Sequence, residues 1–357
     1  MDLFSVVPAL STGFTALGFL LLILVLGVHY RGEWRRRHEA GFRNATAPVV
    51  DRYLAGSAGL EEAVAALKKD LPAALSLLLD RAVVLGHEKT PRLRALWGNL
   101  PYKEPMLAGL KENDRDIRSL NARSLGYLGD ESTIPGLMDA LDDEAPAVRL
   151  AAAHSLARLG YAGAVKPILL NPDFAGNMSG DRVVEVLVQF GDCAIDPLLA
   201  VLTGPQIPER TLAIAVQACG MLHAKQAVPM LVEALQHKTP EIRRKALDAL
   251  ASIGDPSAIT PISRLAEDPD HGVRSSVMSS LGILHATGHI PLVVKALADP
   301  TWEIRLSAGR ALYQMGSEGR KALGDAAIQQ TDSHARRISR QVLQTHGHDL
   351  PTGTVPL

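Results

Sequence analysis

Aromatic residues and cysteines are scarce in this chain. Only 4% of its 357 residues are Phe, Trp or Tyr, although 47% are hydrophobic. A core of that composition is built from small aliphatic side chains, which suits closely packed helices. The two cysteines, Cys193 and Cys219, are too few for a disulfide framework or a Cys-x-x-Cys metal site. We interpret them as ordinary small residues of a reducing compartment.

Neither sign of charge predominates, and the sequence has no familiar catalytic motif. The formal net charge is −1, so there is no basic surplus of the kind that attracts nucleic acid. His-Glu-x-x-His, Gly-x-Ser-x-Gly and a glycine-rich phosphate loop are all missing from the sequence. We therefore expect no nucleic-acid partner, no catalytic residues, no metal and no cofactor.

The chain is rich in repetition. An apolar residue followed by Arg recurs in steps of 31 residues, with one inserted residue near the middle of the chain. A column of glycines with the same period ends each segment. The two columns are Ile117–Arg118, Val148–Arg149, Ile242–Arg243, Val273–Arg274 and Ile304–Arg305, and Gly129, Gly160, Gly191, Gly254, Gly316 and Gly347.

Each repeat has the pattern of a helical hairpin. After the Arg, apolar residues follow at helical spacing, as in Val148, Ala152 and Leu156. A shorter apolar run with Pro in its first turn, such as Ile134–Pro135, precedes it. One hairpin cannot bury its apolar face alone, so neighbours must stack. We predict an all-α fold, an α-solenoid of about eight 31-residue hairpins over residues 104–346.

The N-terminus has the features of a membrane anchor. Val6–Val28 is apolar and uncharged, and as a helix it would span a hydrocarbon core of about 30 Å. Basic residues such as Arg31 and Arg35 follow it, while Asp2 precedes it, which places the N-terminus outside and the rest in the cytoplasm. A cleaved signal peptide fits less well because a basic n-region is missing. We predict one transmembrane helix in residues 1–30, with the lipid bilayer as its partner.

The other segments follow from where the periodicity fails. Residues 31–59 form a basic juxtamembrane segment and linker with one predicted helix, Val49–Leu54. Residues 60–103 are predicted to be a helical N-terminal cap with helices at Glu61–Leu67, Pro72–Leu85 and Arg92–Leu96. The tail, 347–357, is expected to be disordered. Within the array, residues 171–208 depart most from the pattern, and Gly180 stands where an Arg is expected. These irregular repeats are either a binding loop that exposes Phe174, Met178 and Ile207 or simple repeat decay with those side chains buried, and the sequence leaves both open.

The repeat resembles the HEAT repeat, in particular its short, phycobilisome-lyase-like form. The resemblance lies in Asp-x4-Val-Arg followed by spaced Ala and Leu, in Asp143–Gly160, Asp268–Leu284 and Asp299–Gly316. In that family the Asp and the Arg six residues later form a structural ladder between successive repeats. The resemblance thus implies the pairs Asp143 with Arg149, Asp268 with Arg274, and Asp299 with Arg305. Where the acid is replaced, as at Glu112, His237 and Gln330, we expect the ladder to be interrupted.

The resemblance also indicates where a partner would bind. The second helices of such a solenoid line its concave side, and positions five and nine after the Arg face the groove. This candidate partner-binding face contains Arg123, Tyr127, His154, Arg158, Lys245, Asp248, Arg310 and Tyr313. The prediction is a non-catalytic, membrane-anchored scaffold that binds a protein partner through this face, on the cytoplasmic side of a bacterial inner membrane.

Two alternatives remain. The repeat type suggests a bilin-lyase-like enzyme or enzyme subunit, and the anchor suggests an accessory subunit of an integral-membrane enzyme such as a glycosyltransferase. Deoxyhypusine hydroxylase, a HEAT-like enzyme family, binds iron through His-Glu dipeptides at the start of its second helices. In this chain those positions hold Arg149–Leu150, Arg274–Ser275 and Arg305–Leu306. The metal ligands of that family are therefore missing at these positions.

Overall fold

The computed structural model describes residues 38, 40–85, 90–171, 174, 178–204 and 207–345. Every regular element in these ranges is an α-helix or a short 3-10 turn. The prediction of an all-helical, repeat-type solenoid is therefore confirmed. Val6–Val28 and the tail at 347–357 lie outside the described residues. Within the described ranges, no helix combines the length and the apolar character needed to cross a bilayer.

The chain forms two compact units. Residues up to Gly109, together with Tyr127–Asp130, form the first unit, and Leu110–Gly126 with the chain from Glu131 onward forms the second. The first unit contains α1 (40–55), α2 (Leu60–Leu67), α3 (Leu71–Leu85), α4 (Thr90–Gly98) and α5 (Lys103–Gly109).

Polar contacts and one aromatic pair hold the first unit together. The ring of Trp97 stacks on that of Tyr102 with 4.8 Å between centroids, and the Tyr102 hydroxyl donates to the carbonyl of Leu71. Arg81 on α3 makes two hydrogen bonds, of 2.7 and 2.8 Å, to the carboxylate of Asp51 on α1. Helix α1 therefore packs on the helices that follow it and is more than a connector.

The second unit is the repeat array. Its second helices, on which the Arg column lies, are α6 (Arg115–Leu128), α8 (Pro146–Arg158), α10 (Gly180–Val188), α12 (Glu209–Met221), α14 (Pro240–Ile253), α16 (His271–Ile283) and α18 (Trp302–Gln314). The first helices are α7 (Ile134–Asp139), α9 (Val165–Leu170), α11 (Ile195–Leu202), α13 (Val228–Ala234), α15 (Ile259–Ser263), α17 (Ile290–Ala296) and α19 (Gly316–Gln329), and α20 (Ser333–Thr345) follows.

The second helices start and stop for local reasons. Proline opens α8 and α14, where its missing N–H removes no intrahelical bond. A residue in the left-handed conformation then follows the end of each second helix from α8 to α18. Four of these are glycines, with φ between 61° and 81°: Gly160, Gly191, Gly254 and Gly316. The other two are histidines, His223 with φ 50° and His285 with φ 49°, which fill the gaps in the glycine column.

Small residues allow adjacent second helices to lie very close together. A Cβ atom placed on Gly220 would come within 2.6 Å of the Cα of Ala249 on the next second helix. At Gly126 the equivalent distance is 2.5 Å to Ser155, and at Gly282 it is 2.7 Å to Ala311. These separations leave no room for a side chain. The close approach explains why the core contains so few aromatic residues.

Candidate functional site

The candidate partner-binding residues all lie on second helices and are at least partly exposed to solvent; we call the surface that they form the second-helix face. Arg123, Asp248 and Arg310 are exposed. The other five are half-buried: Tyr127, His154, Arg158, Lys245 and Tyr313. Tyr127 belongs to the first unit and the other seven belong to the second.

Hydrogen bonds between repeats fix several of these side chains. Lys245 Nζ donates to Gln217 Oε1 at 2.6 Å, and Gln217 Nε2 donates to Asp181 Oδ1 at 3.1 Å. This chain of three residues links α14, α12 and α10. On α8, His154 Nδ1 lies 2.7 Å from Gln189 Oε1 in the following repeat. The middle of the face is thus pre-organised, which lowers the entropy that a partner's binding would cost.

Asp248 lies in an unusual electrostatic environment. Its side chain is exposed, yet surrounding protein partly desolvates the carboxyl group and raises its pKa. Arg244, a hydrogen bond from Ser276 and Lys245 oppose this shift without cancelling it. A carboxyl group that is both exposed to solvent and partly desolvated, as that of Asp248 is, lies in a recessed part of the surface. The carboxylate of Asp248 is therefore poised to gain from a cation brought by a partner.

Tyr313 differs from the other candidates. The guanidinium of Arg320, on α19, lies 5.7 Å from the centre of its ring. Tyr313 also occupies the helix position that holds Gly220 and Gly282 in other repeats, which faces the next second helix. Its ring therefore has a packing role in the array, and its contact with a partner stays a prediction.

The ladder exists, but its pairing differs from the one implied by the family pattern. The carboxylate of Asp143 binds Arg118 of the preceding repeat, at 2.7 Å from Nε and 2.9 Å from Nη2. Arg149 binds Asp143 through its main-chain carbonyl, at 2.7 Å from Nη1. Asp143 and Arg149 thus contact each other through the main-chain carbonyl of Asp143, while the Asp143 carboxylate reaches back to the Arg 25 residues earlier.

The other ladder residues repeat this geometry. The carboxylate of Asp268 binds Arg243 at 2.9 and 2.7 Å, and Arg274 binds the Asp268 carbonyl at 2.9 Å. The carboxylate of Asp299 binds Arg274 at 3.2 Å, and its carbonyl binds Arg305 at 2.7 Å. The predicted pairs Asp268 with Arg274 and Asp299 with Arg305 therefore also meet through the main-chain carbonyl of the Asp. A main-chain carbonyl is present whatever the side chain, so Glu112, His237 and Gln330 still bind their arginines.

The Arg column of the ladder is interrupted in the middle of the array. Phe174, which lies 25 residues after Arg149 in the sequence, has a fully buried side chain. At the Arg positions of the next two repeats stand Gly180 and Leu212. Phe174 was one of the residues that a binding loop would expose, so its burial supports the alternative of repeat decay at that position.

A recess of about 430 Å³ lies where the Arg column is interrupted. It is on the second-helix face, near the first turns of α10, α12 and α14, and both signs of charge line it. The lining residues are Gly180, Asp181, Glu209, Arg210, Ala213, Ile214, Thr239, Glu241, Ile242 and Lys245. Its volume is enough for one or two side chains of a partner.

The cysteines and acidic residues offer little reactivity. Cys219 is buried, and burial raises the pKa of its thiol to about 12. Burial also raises the pKa of Cys193, whose Sγ donates to the Phe190 carbonyl at 2.9 Å. In the part of the chain that the structure describes, no three His, Cys, Asp or Glu side chains are grouped to hold a metal ion.

Sequence similarity identifies the repeats. The family of HEAT repeats matches residues 104–170 and 195–282, and a second HEAT-repeat profile matches residues 289–318. Together the matches cover about half of the chain. This is a HEAT-repeat protein.

The HEAT-repeat protein has relatives among bilin-related proteins. It is 28% identical over 222 residues to phycocyanobilin lyase subunit alpha of Synechocystis sp., covering 60% of this chain and 72% of the relative. It is 28% identical over 105 residues to the bilin biosynthesis protein PecE of Nostoc sp., covering 29% and 42% respectively. One chain of the solved complex of CpcE and CpcF of phycocyanin lyase from Nostoc sp. is 18% identical to this chain, with a TM-score of 0.27. The match covers 80% of this chain and 94% of that chain.

Sequence reasoning did not identify His223 and His285 of this HEAT-repeat protein as the left-handed residues that follow α12 and α16. A signal for them was present, because Gly-Met-Leu-His-Ala at 220–224 and Gly-Ile-Leu-His-Ala at 282–286 are nearly the same and lie two repeats apart. The two histidines stand at positions of the glycine column, but histidine is not the residue expected in the left-handed conformation.

Proposed function

We propose that this HEAT-repeat protein is a non-catalytic adaptor that binds a protein partner through its second-helix face. We further propose that Val6–Val28 anchors it in a bacterial inner membrane, with the array in the cytoplasm. An integral-membrane enzyme, such as a glycosyltransferase, is the class of partner that such an anchor would favour, because anchoring raises the local concentration of the array beside membrane proteins.

The observation that carries the proposal is the pre-organised polar row on the second-helix face. Lys245, Gln217 and Asp181 are bonded in series across three repeats, and exposed arginines lie on the same face toward both ends of the array. Fixed polar groups flanked by arginines are typical of protein-binding surfaces. Rigid stacked helices also offer a long surface with little ordering cost.

Charge reversal on the face tests the proposal. The variant combines Arg123→Glu, Arg158→Glu and Arg310→Glu, and partners are captured from detergent-solubilised membranes and identified by mass spectrometry. We expect the protein that co-purifies in stoichiometric amount with the unmodified chain to be lost, while the circular dichroism melting curve stays the same.

The matched control reverses three exposed charges outside the second helices: Lys166, Lys225 and Arg264, each to Glu. Their change in net charge is the same, so a general electrostatic effect would appear in both variants. Capture by the control and loss by the face variant support the proposal. Equal capture by both variants would remove the second-helix face from consideration.

A bilin-lyase-like activity is the second candidate function. The similarity to phycocyanobilin lyase subunit alpha over 222 residues favours it. Incubating the purified chain with phycocyanobilin and the phycocyanin apoprotein tests it directly, alone and together with a second lyase subunit. A covalent coloured adduct that survives a denaturing gel and depends on the added chain would establish the activity, whereas its absence in both mixtures favours the adaptor.

A further inference from the structure

A cleft of about 590 Å³ lies between two successive repeats. Its walls are formed by the loop before α16, by α17 and by the N-terminal halves of α16 and α18. Most of the lining is apolar, and it includes Ala266, Pro269, Met278, Leu292, Ala296 and Ile304. The candidate partner-binding residues, all of which the structure describes, do not line it. A largely apolar cleft of this size is typical of a site for a small molecule.

The cleft has a cause in the sequence. In four other repeats, the residue eight positions before the ladder arginine is a buried leucine: Leu110, Leu141, Leu235 and Leu297. The repeat of Arg274 has Ala266 at this position, and Ala266 lines the cleft. Leu265, one residue earlier, is buried elsewhere in the core. The alanine therefore leaves unfilled the space of an isopropyl group, as a large-to-small substitution in a core does.

Contacts across this junction hold the walls in place. Ser275 Oγ on α16 lies 2.9 Å from Ser307 Oγ on α18, and a Cβ atom on Gly282 would come within 2.7 Å of Ala311 further along the same two helices. His271 and Glu303 add a contact of 4.0 Å in the first turns. The cleft is thus a gap beside closely packed helices, and it is formed before any ligand arrives. A pre-formed site lowers the cost of binding.

Arg274 supplies an unused donor to the cleft that it lines. Its Nη1 binds the Asp268 carbonyl at 2.9 Å, and its Nε binds one carboxylate oxygen of Asp299 at 3.2 Å. In the preceding junction, Nη2 of Arg243 also binds a carboxylate oxygen, at 2.7 Å. Nη2 of Arg274 makes no such bond to any residue that the structure describes. An acceptor that enters the cleft can therefore take this place.

The charges of the lining favour an anionic ligand over a cationic one. Both oxygens of the Asp268 carboxylate bind Arg243, and the Asp299 carboxylate accepts from Arg274 and from the Thr301 N–H.

On the rim, Lys295 Nζ donates to Glu267 at 2.9 Å, but these side chains are 80% and 83% exposed. Such an exposed pair contributes little, so the ammonium group can turn to a ligand at low cost. An anion thus finds an unused guanidinium donor and a movable ammonium group.

We infer that this cleft binds a small carboxylate with an apolar body, such as an aliphatic or aryl-alkyl acid. The apolar body fills the space beside Ala266. The carboxylate accepts hydrogen bonds from Nη2 of Arg274 and from Nζ of Lys295. The inference does not rest on partner binding by the second-helix face, because the two sites have different residues.

Titration of the full chain with 4-phenylbutyrate tests the inference. Binding is measured by isothermal titration calorimetry in detergent, with micelles alone as the reference. We expect saturable binding with a Kd of about 0.1–1 mM, as roughly a dozen heavy atoms allow. The neutral amide, 4-phenylbutyramide, has the same shape but offers no charge to the two cations. It should bind at least about tenfold more weakly.

Two substitutions locate the ligand. Ala266→Leu restores the leucine of the other repeats and fills the cleft, so we expect it to weaken binding of the acid at least about tenfold. The matched control is Ala200→Leu, the same change at an exposed position of α11, which should bind as the unmodified chain does. Arg274→Gln removes the guanidinium and should lose most of the preference for the acid over the amide.

Equal binding of acid and amide by the unmodified chain would overturn the inference, since a neutral apolar group such as a side chain of a partner would then suit the cleft equally well. Unchanged binding by Ala266→Leu would place the ligand elsewhere and would also overturn it, as would a titration that does not saturate. If Arg274→Gln does not fold, the two ligands and the Ala266→Leu variant decide the question alone.

Discussion

Arg243 joins two repeats by itself. Its guanidinium binds both oxygens of the Asp268 carboxylate in the next repeat and the carbonyls of His237 and Lys238 in its own loop. Removing the guanidinium leaves a nearly buried carboxylate and two carbonyls without their donor. We expect Arg243→Ala to lower the free energy of unfolding by about 3 kcal/mol, as for other buried pairs that lose one partner.

Arg274→Ala is the internal comparison. Arg274 makes one contact of 3.2 Å to Asp299 and is more exposed, so water replaces it more easily. Its substitution should cost clearly less, about 1 kcal/mol. Urea denaturation of both variants measures the difference, and a larger loss for Arg274→Ala would contradict the geometry described for the ladder.

Asp248 gives a prediction about pH. Its folded-state pKa is raised above the unfolded value of about 3.9, so the ionised carboxylate destabilises the fold at neutral pH and the penalty disappears as pH falls below both pKa values. Asp248→Asn removes the penalty. We expect the variant to be the more stable protein at pH 7, with the advantage shrinking to nothing near pH 3. Thermal unfolding across this range checks it, and an advantage independent of pH would show that desolvation is not the cause.

At the scale of single residues, the sequence predicts which residues form the ladder better than it predicts which of their atoms are hydrogen-bonded. The Asp and Arg columns are visible in the sequence, but the contact of each carboxylate is not, because an Arg 25 residues away becomes a neighbour only after the hairpins stack. The hydrogen bonds that His223 and His285 donate to carbonyls of the next repeat are hidden for a related reason. A donor to a carbonyl in the next repeat has no sequence signature beyond the recurrence of its own short motif.

Among the helices, the closest approach depends on glycine. Alanine is the better helix former by about 1 kcal/mol, so Gly220→Ala in an isolated helix would be favourable. In the array the added methyl group meets the backbone of Ala249 at 2.6 Å. Pushing two packed helices apart costs more than the gain in propensity, so we expect a net loss of about 1–2 kcal/mol.

Gly288→Ala is the matched control, because a Cβ atom there meets no other atom within 4 Å. Chemical denaturation should find this variant within about 0.5 kcal/mol of the unmodified chain. A Gly220→Ala protein as stable as the control would mean that α12 and α14 move apart freely.

The helices themselves were largely predictable. Periodicity gave the hairpins, because each apolar stripe needs a neighbour and the same positions recur. In the first unit the predicted helices at Glu61–Leu67 and Pro72–Leu85 agree with Leu60–Leu67 and Leu71–Leu85. The helix predicted from Val49 instead begins at residue 40. Its polar N-terminal half, with Arg43 bonded to Asp80, carries no apolar periodicity that could reveal it.

For the molecule as a whole, the proposed anchor is the first property to test. Leu21→Arg with Leu24→Arg places two charges inside Val6–Val28, at about 2.5–3.5 kcal/mol each near the bilayer centre. We expect the unmodified chain to sediment with bacterial membranes and to resist a carbonate wash, and the double variant to be released. Leu21→Ala with Leu24→Ala should remain bound. Release of the unmodified chain by carbonate would rule out a membrane-spanning anchor.

Solvent-facing positions of the second helices are predictable from the sequence, but their side-chain partners are not, and partner binding at the candidate face stays a prediction. Counting from each Arg located residues that do reach solvent, because helical geometry repeats with the array. Which of them are held by neighbours, as Lys245 is by Gln217, depends on side chains that meet only across repeats. The recess beside Gly180 likewise arises from three helices at once, so no single repeat encodes it.

A ladder arginine such as Arg243 binds carbonyls of the loop before its own helix and the carboxylate of the Asp 25 residues later. This pattern makes each repeat an interchangeable module. Removing residues 244–274 would join Arg243 to Ser275 and leave Asp299 at the distance in sequence that Asp268 has now. Unequal crossover within the gene can therefore delete or add one such module without leaving an arginine side chain without its ladder partners. The number of repeats can therefore change by whole repeats during evolution, while the contacts between neighbouring repeats are kept.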